Sequence, residues 1–170
     1  PALLAARGTP SSETNLHEAE RQVASLPVLG GAYASTAVEL AITSGDFDTL
    51  DRYLQAYENP RVEFPVASQR AVSAAAIRPD PAALERLLRA GLDPNVQPYK
   101  GAHPVRQAIK ANQVASLMAL SRAGADFELA SADGGPLGIL ALDYAAANAL
   151  DWLLQNDIVA VNTTDPQTRE

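Results

Sequence analysis

The sequence predicts an all-α protein built from helix pairs that repeat about every 33 residues. Four amphipathic segments open with a leucine, and these leucines follow one another at nearly equal steps. The leucines are Leu50, Leu84, Leu117 and Leu150. An alanine stands at one fixed distance before each leucine, at Ala41, Ala75, Ala108 and Ala141. Because a short side chain lets two helices approach closely, the alanines predict a second helix packed tightly against each leucine helix.

The segment from residue 84 to residue 95 shows the pattern most clearly. Leu84, Leu87 and Leu88 share one face of a helix, because residues three and four apart are neighbours on a helix surface. Gly91 follows where a helix commonly ends in a left-handed residue, a conformation that glycine adopts without strain. Gly124 stands at the same position one period later. Both copies therefore predict a helix that ends in a left-handed turn.

Three short motifs accompany this period: L-L-x-x-G-x-D-x-N at residues 87–95, G-x-H-P-V-R-x-A at residues 101–108 and G-A-D at residues 124–126. They resemble the ankyrin repeat, whose usual opening has Thr, Leu and His where this chain has His103, Val105 and Arg106. The resemblance covers roughly residues 34–162. It implies an ankyrin-repeat solenoid of about four helix-turn-helix repeats with an N-terminal capping helix.

The resemblance also divides the chain into segments. The four repeats span about residues 34–66, 67–100, 101–133 and 134–162. Residues 1–33 are expected to form an N-terminal segment with the capping helix, and residues 163–170 a flexible tail. A capping helix is expected because the first repeat of a solenoid has no preceding neighbour to cover its apolar face.

In the N-terminal half, an apolar stripe behind a polar cap predicts the capping helix over residues 16–26. The first repeat opens near Thr36, and its second helix is predicted from Phe47 to Tyr57. The loop at residues 58–65 lacks the G-A-D motif, so we expect it to be longer or irregular.

The second repeat begins with a helix near Gln69–Ile77, followed by a turn at residues 78–81 that contains two prolines. The third repeat runs from Gly101 to Ala123. Residues 127–133 are predicted to form a loop. The fourth repeat turns at residues 145–148 without the usual glycine.

Charge is unevenly distributed along the chain, whose net charge is −7. Residues 70–122 carry eight basic and three acidic residues, whereas both flanking segments are acidic. Binding to nucleic acid needs a continuous basic surface, so this order argues against a nucleic-acid partner. Charged helix faces that contact only water explain the basic block as well as a binding partner would.

Composition sets limits on compartment and membrane association. No run of 18 apolar residues occurs, so no membrane span is predicted. The absence of cysteine excludes disulfides and thiol chemistry but leaves the compartment open. The alanine-rich composition is similar to that of stand-alone bacterial ankyrin proteins, in the periplasm or the cytoplasm. Because the sequence does not begin with Met, a removed export signal would favour the periplasm.

Few residues suggest chemistry. His103 takes the place of the ankyrin threonine, and we expect its ring nitrogen to bond the loop backbone rather than act in catalysis or metal binding. The acids Asp46, Asp48 and Asp51 lack the glycine and glutamate of a calcium loop, and we expect Asp46 and Asp48 to stabilise a helix start instead. The motifs G-x-S-x-G, H-E-x-x-H and G-x-G-x-x-G and the Walker phosphate-binding loop do not occur. The sequence predicts neither an enzyme nor a cofactor.

The resemblance implies a protein-binding module, because stacked repeats present a concave face of loop tips and first helices. The residues expected on that face are Glu39, Gln97, Tyr99, Lys100, Arg106, Lys110, Phe127, Glu128, Leu129, Ser131 and Asp133. Tyr99 and Phe127 are the strongest candidate contacts, since aromatic residues dominate binding hot spots. Tyr99 is expected to be exposed, whereas Phe127 has an equal chance of packing beneath its own loop.

Three functions fit such a module. The first is that of a bacterial immunity protein, monomeric on its own, which binds and blocks a secreted toxin, lipase or other hydrolase. The second is a structural or regulatory scaffold with several protein partners. The third is the interaction domain of a larger enzyme. A single tight partner would indicate the first function, several weaker partners the second, and a longer intact polypeptide the third.

Overall fold

The structure, a computed structural model, describes residues 32–55 and 65–159. Within these ranges it contains nine helices and no strand, which confirms the all-α prediction. The helices are α1 (Ala32–Ser44), α2 (Phe47–Gln55), α3 (Pro65–Ala76), α4 (Ala82–Arg89), α5 (Pro104–Lys110), α6 (Val114–Arg122), α7 (Phe127–Ala132), α8 (Leu137–Asp143) and α9 (Ala147–Gln155).

Eight of these helices form pairs joined by short turns: α1 with α2, α3 with α4, α5 with α6, and α8 with α9. The first helices of the pairs pack side by side in one row, in the order α1, α3, α5, α8. The second helices form another row, in the order α2, α4, α6, α9. Helix α7 stands outside both rows and packs on α5.

The hydrophobic core is made by the leucine and alanine positions that define the sequence period. Each of the four alanines is at most 3% exposed. Leu50, Leu84 and Leu117 are fully buried, whereas Leu150 is half-buried in the last pair. The predicted core is therefore confirmed, with a less complete burial at its C-terminal end. Replacing Leu84 with alanine would cost about 2–5 kcal/mol of stability.

The backbone repeats its left-handed residues with the same period. Within pairs, Gly45 (φ 73°), Asn112 (φ 54°) and Ala145 (φ 50°) end the first helix. After the second helices, the corresponding residues are Gly91 (φ 88°), Gly124 (φ 81°) and Asp157 (φ 56°). The predicted left-handed turns at Gly91 and Gly124 are confirmed. Asn112, Ala145 and Asp157 adopt the conformation without glycine, and Asn and Asp do so more readily than most residues.

One helix boundary and one loop differ from the sequence prediction, and the predicted end of α2 at Tyr57 lies outside the described residues. Helix α3 starts at Pro65 rather than near Gln69, because proline suits the first position of a helix. Helix α2 is described as far as Gln55. The prediction of a loop over residues 127–133 is wrong, since Phe127–Ala132 form helix α7.

Some predictions concern residues outside the described ranges. These are the capping helix at residues 16–26, the irregular part of the loop at residues 58–64, and the flexible tail at residues 163–170. Along residues 32–55 and 65–159, the longest helix has 13 residues, and none is long and apolar enough to cross a membrane.

Candidate binding face

Arg106 is a buried residue that binds the backbone of a neighbouring loop. It lies in the first helix of the third pair and is 5% exposed. Its Nη1 donates hydrogen bonds to the carbonyl oxygens of Ala130 (3.2 Å) and Gly135 (2.7 Å). Its Nη2 donates to the carbonyl oxygen of Gly134 (2.8 Å). The guanidinium therefore joins α5 to the segment that ends α7.

The local backbone fits this guanidinium. A Cβ atom added to Gly134 would lie 2.9 Å from Nη2 of Arg106, so a larger residue at this position would require the guanidinium to shift. The carbonyls lie at and just after the C-terminal end of α7, where a helix favours positive charge. Burial lowers the pKa of Arg106 from its usual value, and the nearby Asp133 opposes that effect. The prediction that Arg106 faces a partner is therefore wrong: the side chain is occupied within the protein.

His103 is also buried and has a structural role. It is fully inaccessible, and its Nδ1 accepts a hydrogen bond from the backbone N–H of Val105 (3.3 Å) at the start of α5. The ring therefore bonds the backbone as expected, although its partner is the first turn of α5 rather than the loop. Because Nδ1 accepts, the neutral ring carries its proton on Nε2, which has no hydrogen-bond partner within the described residues. Burial lowers the pKa of His103.

The acidic positions near residue 46 stabilise a helix start, as predicted. Asp46 accepts a hydrogen bond on Oδ1 from the N–H of Thr49 (3.0 Å) and one on Oδ2 from its hydroxyl (2.6 Å). Asp48 lies in the first turn of α2, and Asp51 pairs with Arg86 of α4. Over the parts of the chain that the structure describes, no group of three His, Asp or Glu side chains is placed to hold a metal ion.

Helix α7 determines the surroundings of five predicted contact residues. Asp126 caps the helix by accepting from the N–H of Leu129 (2.9 Å), and its own N–H donates to Oδ1 of Asn95 (2.7 Å). The ring of Phe127 is half-buried, with its centroid 6.0 Å from that of Trp152. Phe127 therefore packs mainly inside the protein. The other four contact residues differ in exposure: Glu128 and Leu129 are exposed, and Ser131 and Asp133 are half-buried.

A groove runs along the row of first helices, on the side of the loop at residues 97–100. It has a volume of about 340 Å³ and is open to solvent. Its lining comes from α1, α3, α5 and this loop: Glu39, Arg70, Ser73, Ala74, Ile77, Pro98, Tyr99 and Gln107. We call this feature the first-row groove. Of the predicted contact residues it brings together Glu39 and Tyr99, and Tyr99 is 67% exposed, as expected.

Six residues that line the first-row groove were not among the predicted contacts: Arg70, Ser73, Ala74, Ile77, Pro98 and Gln107. The period itself contained a signal for one of them. Ile77 lies one period before Lys110, so the two occupy equivalent positions at the ends of α3 and α5. Because Lys110 was predicted to face a partner, its equivalent Ile77 could have been predicted to do so as well. Ile77 is 46% exposed.

Three further predicted contact residues, Gln97, Lys100 and Lys110, do not line the groove. Gln97 and Lys100 are exposed in the same loop as Tyr99. Lys110 is half-buried, and its Nζ lies 5.6 Å from the centre of the exposed Tyr144 ring. Lys110 thus interacts with an aromatic residue of the protein itself.

The basic block divides into side chains used internally and side chains left on the surface. Arg86 contacts Asp51 and lies over the Phe47 ring at 4.8 Å, and Arg78 donates to the carbonyl oxygen of Thr43 (3.1 Å). Three exposed cations of the block have neither an ion pair nor a hydrogen bond within the described residues. They are Arg70, Lys100 and Arg122.

A second groove lies on the row of second helices, between α4 and α6. Its volume is about 290 Å³, and its lining includes Leu88, Arg89, Arg122 and Glu85. Arg89 is close to Glu85 on the same helix, at 3.8 Å. Both arginines lie in the last turn of their helices, where a positive charge is favourable without any ligand.

Comparisons of this chain with protein-family models, with curated proteins and with solved structures found no match.

Proposed function

We propose that this protein is a non-catalytic protein-binding module whose helix pairs form an ankyrin-type solenoid. The observation that carries the proposal is the first-row groove, which combines the predicted contacts Glu39 and Tyr99 on one accessible face. Tyr99 is the most exposed of the large hydrophobic side chains in the described residues. An exposed aromatic ring beside apolar side chains is typical of a binding hot spot.

The ankyrin-type arrangement is supported by three features. The helix pairs form two parallel rows, the left-handed turns recur with the sequence period, and the buried alanines lie at one register of the first helices. The loops and first helices of such an array form its binding face. The first-row groove lies on that side of the molecule.

The best-fitting biological role is that of a bacterial immunity protein that blocks a secreted toxin or hydrolase. It is an analogy at the level of the fold, supported by the separation of acidic and basic segments, which suits rapid association with a charged partner. A scaffold with several partners and an interaction domain of a larger enzyme are the alternative roles.

The test is an affinity pull-down with the full chain from a lysate of its source organism, read by mass spectrometry. One partner at about equal stoichiometry supports the binding module, and loss of that partner's enzymatic or toxic activity on mixing supports the immunity role. Several partners at lower stoichiometry favour the scaffold. Failure to retain any protein above the level of a denatured-chain control contradicts the protein-binding proposal.

Two matched tyrosine variants then locate the face. Tyr99→Ala removes the exposed ring of the groove, and Tyr144→Ala removes a similarly exposed ring at the other end of the row. Because hot-spot aromatics contribute more than about 1 kcal/mol, we expect Tyr99→Ala to weaken binding about tenfold or more and Tyr144→Ala to change it little. Equal effects of the two variants would argue against the groove.

A further inference from the structure

We infer that the first-row groove binds an acidic segment of the partner protein that carries a large apolar side chain. This inference rests on the proposed protein-binding function and specifies its partner. It depends on two properties of the groove: an apolar surface that the protein leaves uncovered, and neighbouring cations that the described residues leave unpaired.

The apolar part comes from two elements. Ile77 at the end of α3 is 46% exposed, and Tyr99 of the loop is 67% exposed. Ala74 and Pro98 complete this part of the lining. At the positions equivalent to Ile77, the other first helices carry Thr43, Lys110 and Asp143. Ile77 is therefore the one apolar residue among these four equivalent positions, and it lines the groove.

The electrostatic part comes from Arg70 and Lys100. Arg70 lines the groove, and Lys100 follows Tyr99 in the same loop. Both are exposed and have no carboxylate partner among the described residues, whereas the groove's own carboxylate, Glu39, is half-buried. On a chain of net charge −7, such a basic area attracts acidic groups that the remaining surface repels.

The shape favours a protein segment over a small molecule. Pockets for small ligands have volumes of about 300–1,000 Å³ and enclose most of the ligand. The first-row groove is near the lower limit at about 340 Å³ and is open to solvent. It has room for one or two side chains of a segment whose backbone stays at the surface. An apolar side chain would contact Ile77 and Tyr99, while flanking carboxylates approach Arg70 and Lys100.

The experiment starts from a phage library of short random peptides, selected against the intact chain. Peptides from enriched clones are synthesised, and their affinities are measured by fluorescence anisotropy at low and physiological ionic strength. The variant Arg70→Glu/Lys100→Glu reverses both cations of the groove. The control variant Arg89→Glu/Arg122→Glu reverses two exposed cations on the opposite row, with the same change in net charge. Circular dichroism establishes that both variants are folded.

We expect the enriched peptides to be acidic and to contain Leu, Ile, Phe or Trp. The groove variant should weaken their binding about tenfold or more, and added salt should weaken binding to the original chain. Peptides with Lys in place of the acids should bind the groove variant better than the original chain. Enrichment of neutral or basic peptides, or equal weakening by the control variant, would overturn the inference.

The pull-down separates this inference from the function on which it rests. If the groove variant still retains the partner of the original chain, the protein binds through another surface and the inference fails, while the protein-binding function stands. If the original chain retains no partner, the proposed function itself fails. If only the groove variant loses the partner, both are supported.

Discussion

The loops after the second and third helix pairs occupy equivalent positions, yet they differ in how the protein holds them. After the second pair, Ser73 of α3 donates one hydrogen bond to the carbonyl oxygen of Ala102 (2.8 Å). After the third pair, Arg106 takes the place of Ser73 in the period, and Gly135 that of Ala102. Arg106 donates to Gly135 and also reaches Ala130 and Gly134. The first helix thus holds the loop that follows its pair by one hydrogen bond from a hydroxyl in the second pair. In the third pair it does so by three hydrogen bonds from a guanidinium.

This difference accounts for which loop leaves its side chains exposed. The second-pair loop leaves Tyr99 and Lys100 exposed. The third-pair loop contains α7, whose Phe127 packs against Trp152 and whose carbonyls are bonded to Arg106. Two helix pairs with similar sequences can therefore hold their loops by different contacts.

Removal of the Arg106 guanidinium is expected to have the largest effect on the stability of the fold. Arg106→Ala leaves three carbonyls without their donor, and the hydrogen bond to Ala130 among them is buried. We expect a loss of about 3 kcal/mol or more in the free energy of unfolding, measured by urea denaturation followed by circular dichroism. The control is Arg70→Ala, which removes an exposed arginine from α3, the preceding first helix. It should change stability by less than about 0.5 kcal/mol. Similar losses in both variants would contradict the structural role of Arg106.

A smaller loss is expected from Gly134→Ala, which places a Cβ atom against the guanidinium. Because the contact would be 2.9 Å, Arg106 must shift, and we expect a cost of about 1–3 kcal/mol. In the Arg106→Ala background the same change should cost much less, so a double-mutant cycle in urea denaturation measures the coupling. Gly138→Ala is the matched control, since its Cβ would meet Val159 at an ordinary 3.7 Å. Additive effects of Gly134 and Arg106 would contradict the geometry.

The pH dependence of stability tests whether protonation of His103, the N-cap residue of α5, destabilises the fold. Burial lowers the pKa of His103 in the folded protein, so the unfolded chain binds the proton more readily. The free energy of unfolding should therefore fall as the pH drops below about 6.5, by at most about 1.4 kcal/mol per pH unit from this residue.

Carboxylates contribute to the same pH range, so the measurement is a difference between two proteins. His103→Thr keeps a side-chain acceptor at the start of α5 but removes the titrating ring. Urea denaturation from about pH 5 to pH 8 should show a weaker pH dependence for His103→Thr than for the original chain. Parallel curves would show that protonation of His103 does not destabilise the fold.

The smallest effect is expected from Ser73→Ala in the second pair. It removes one neutral hydrogen bond to the carbonyl of Ala102, which should cost about 1 kcal/mol. Thermal denaturation compared with Arg106→Ala ranks the two contacts directly. A loss from Ser73→Ala as large as that from Arg106→Ala would mean that the two loops are held equally strongly.

The sequence predicted the parts of the fold that depend on neighbouring residues. Leu84, Leu87 and Gly91 lie within one helix and its end, so spacing and glycine chemistry were sufficient to predict the stripe and the left-handed turn. The buried alanines were predicted because the same small residue recurs at one register. Tyr99 was predicted correctly as exposed.

Other parts were decided by tertiary structure alone. Arg106 has the sequence position of a surface cation on a first helix, but carbonyls far along the chain surround it, and no local pattern encodes that distance. Helix α7 has only six residues, too few for a helical period to be evident. The first-row groove required α1, α3, α5 and one loop to meet. The sequence thus determined the repeating helices through local contacts, whereas packing between the pairs determined which charges remain available to a partner.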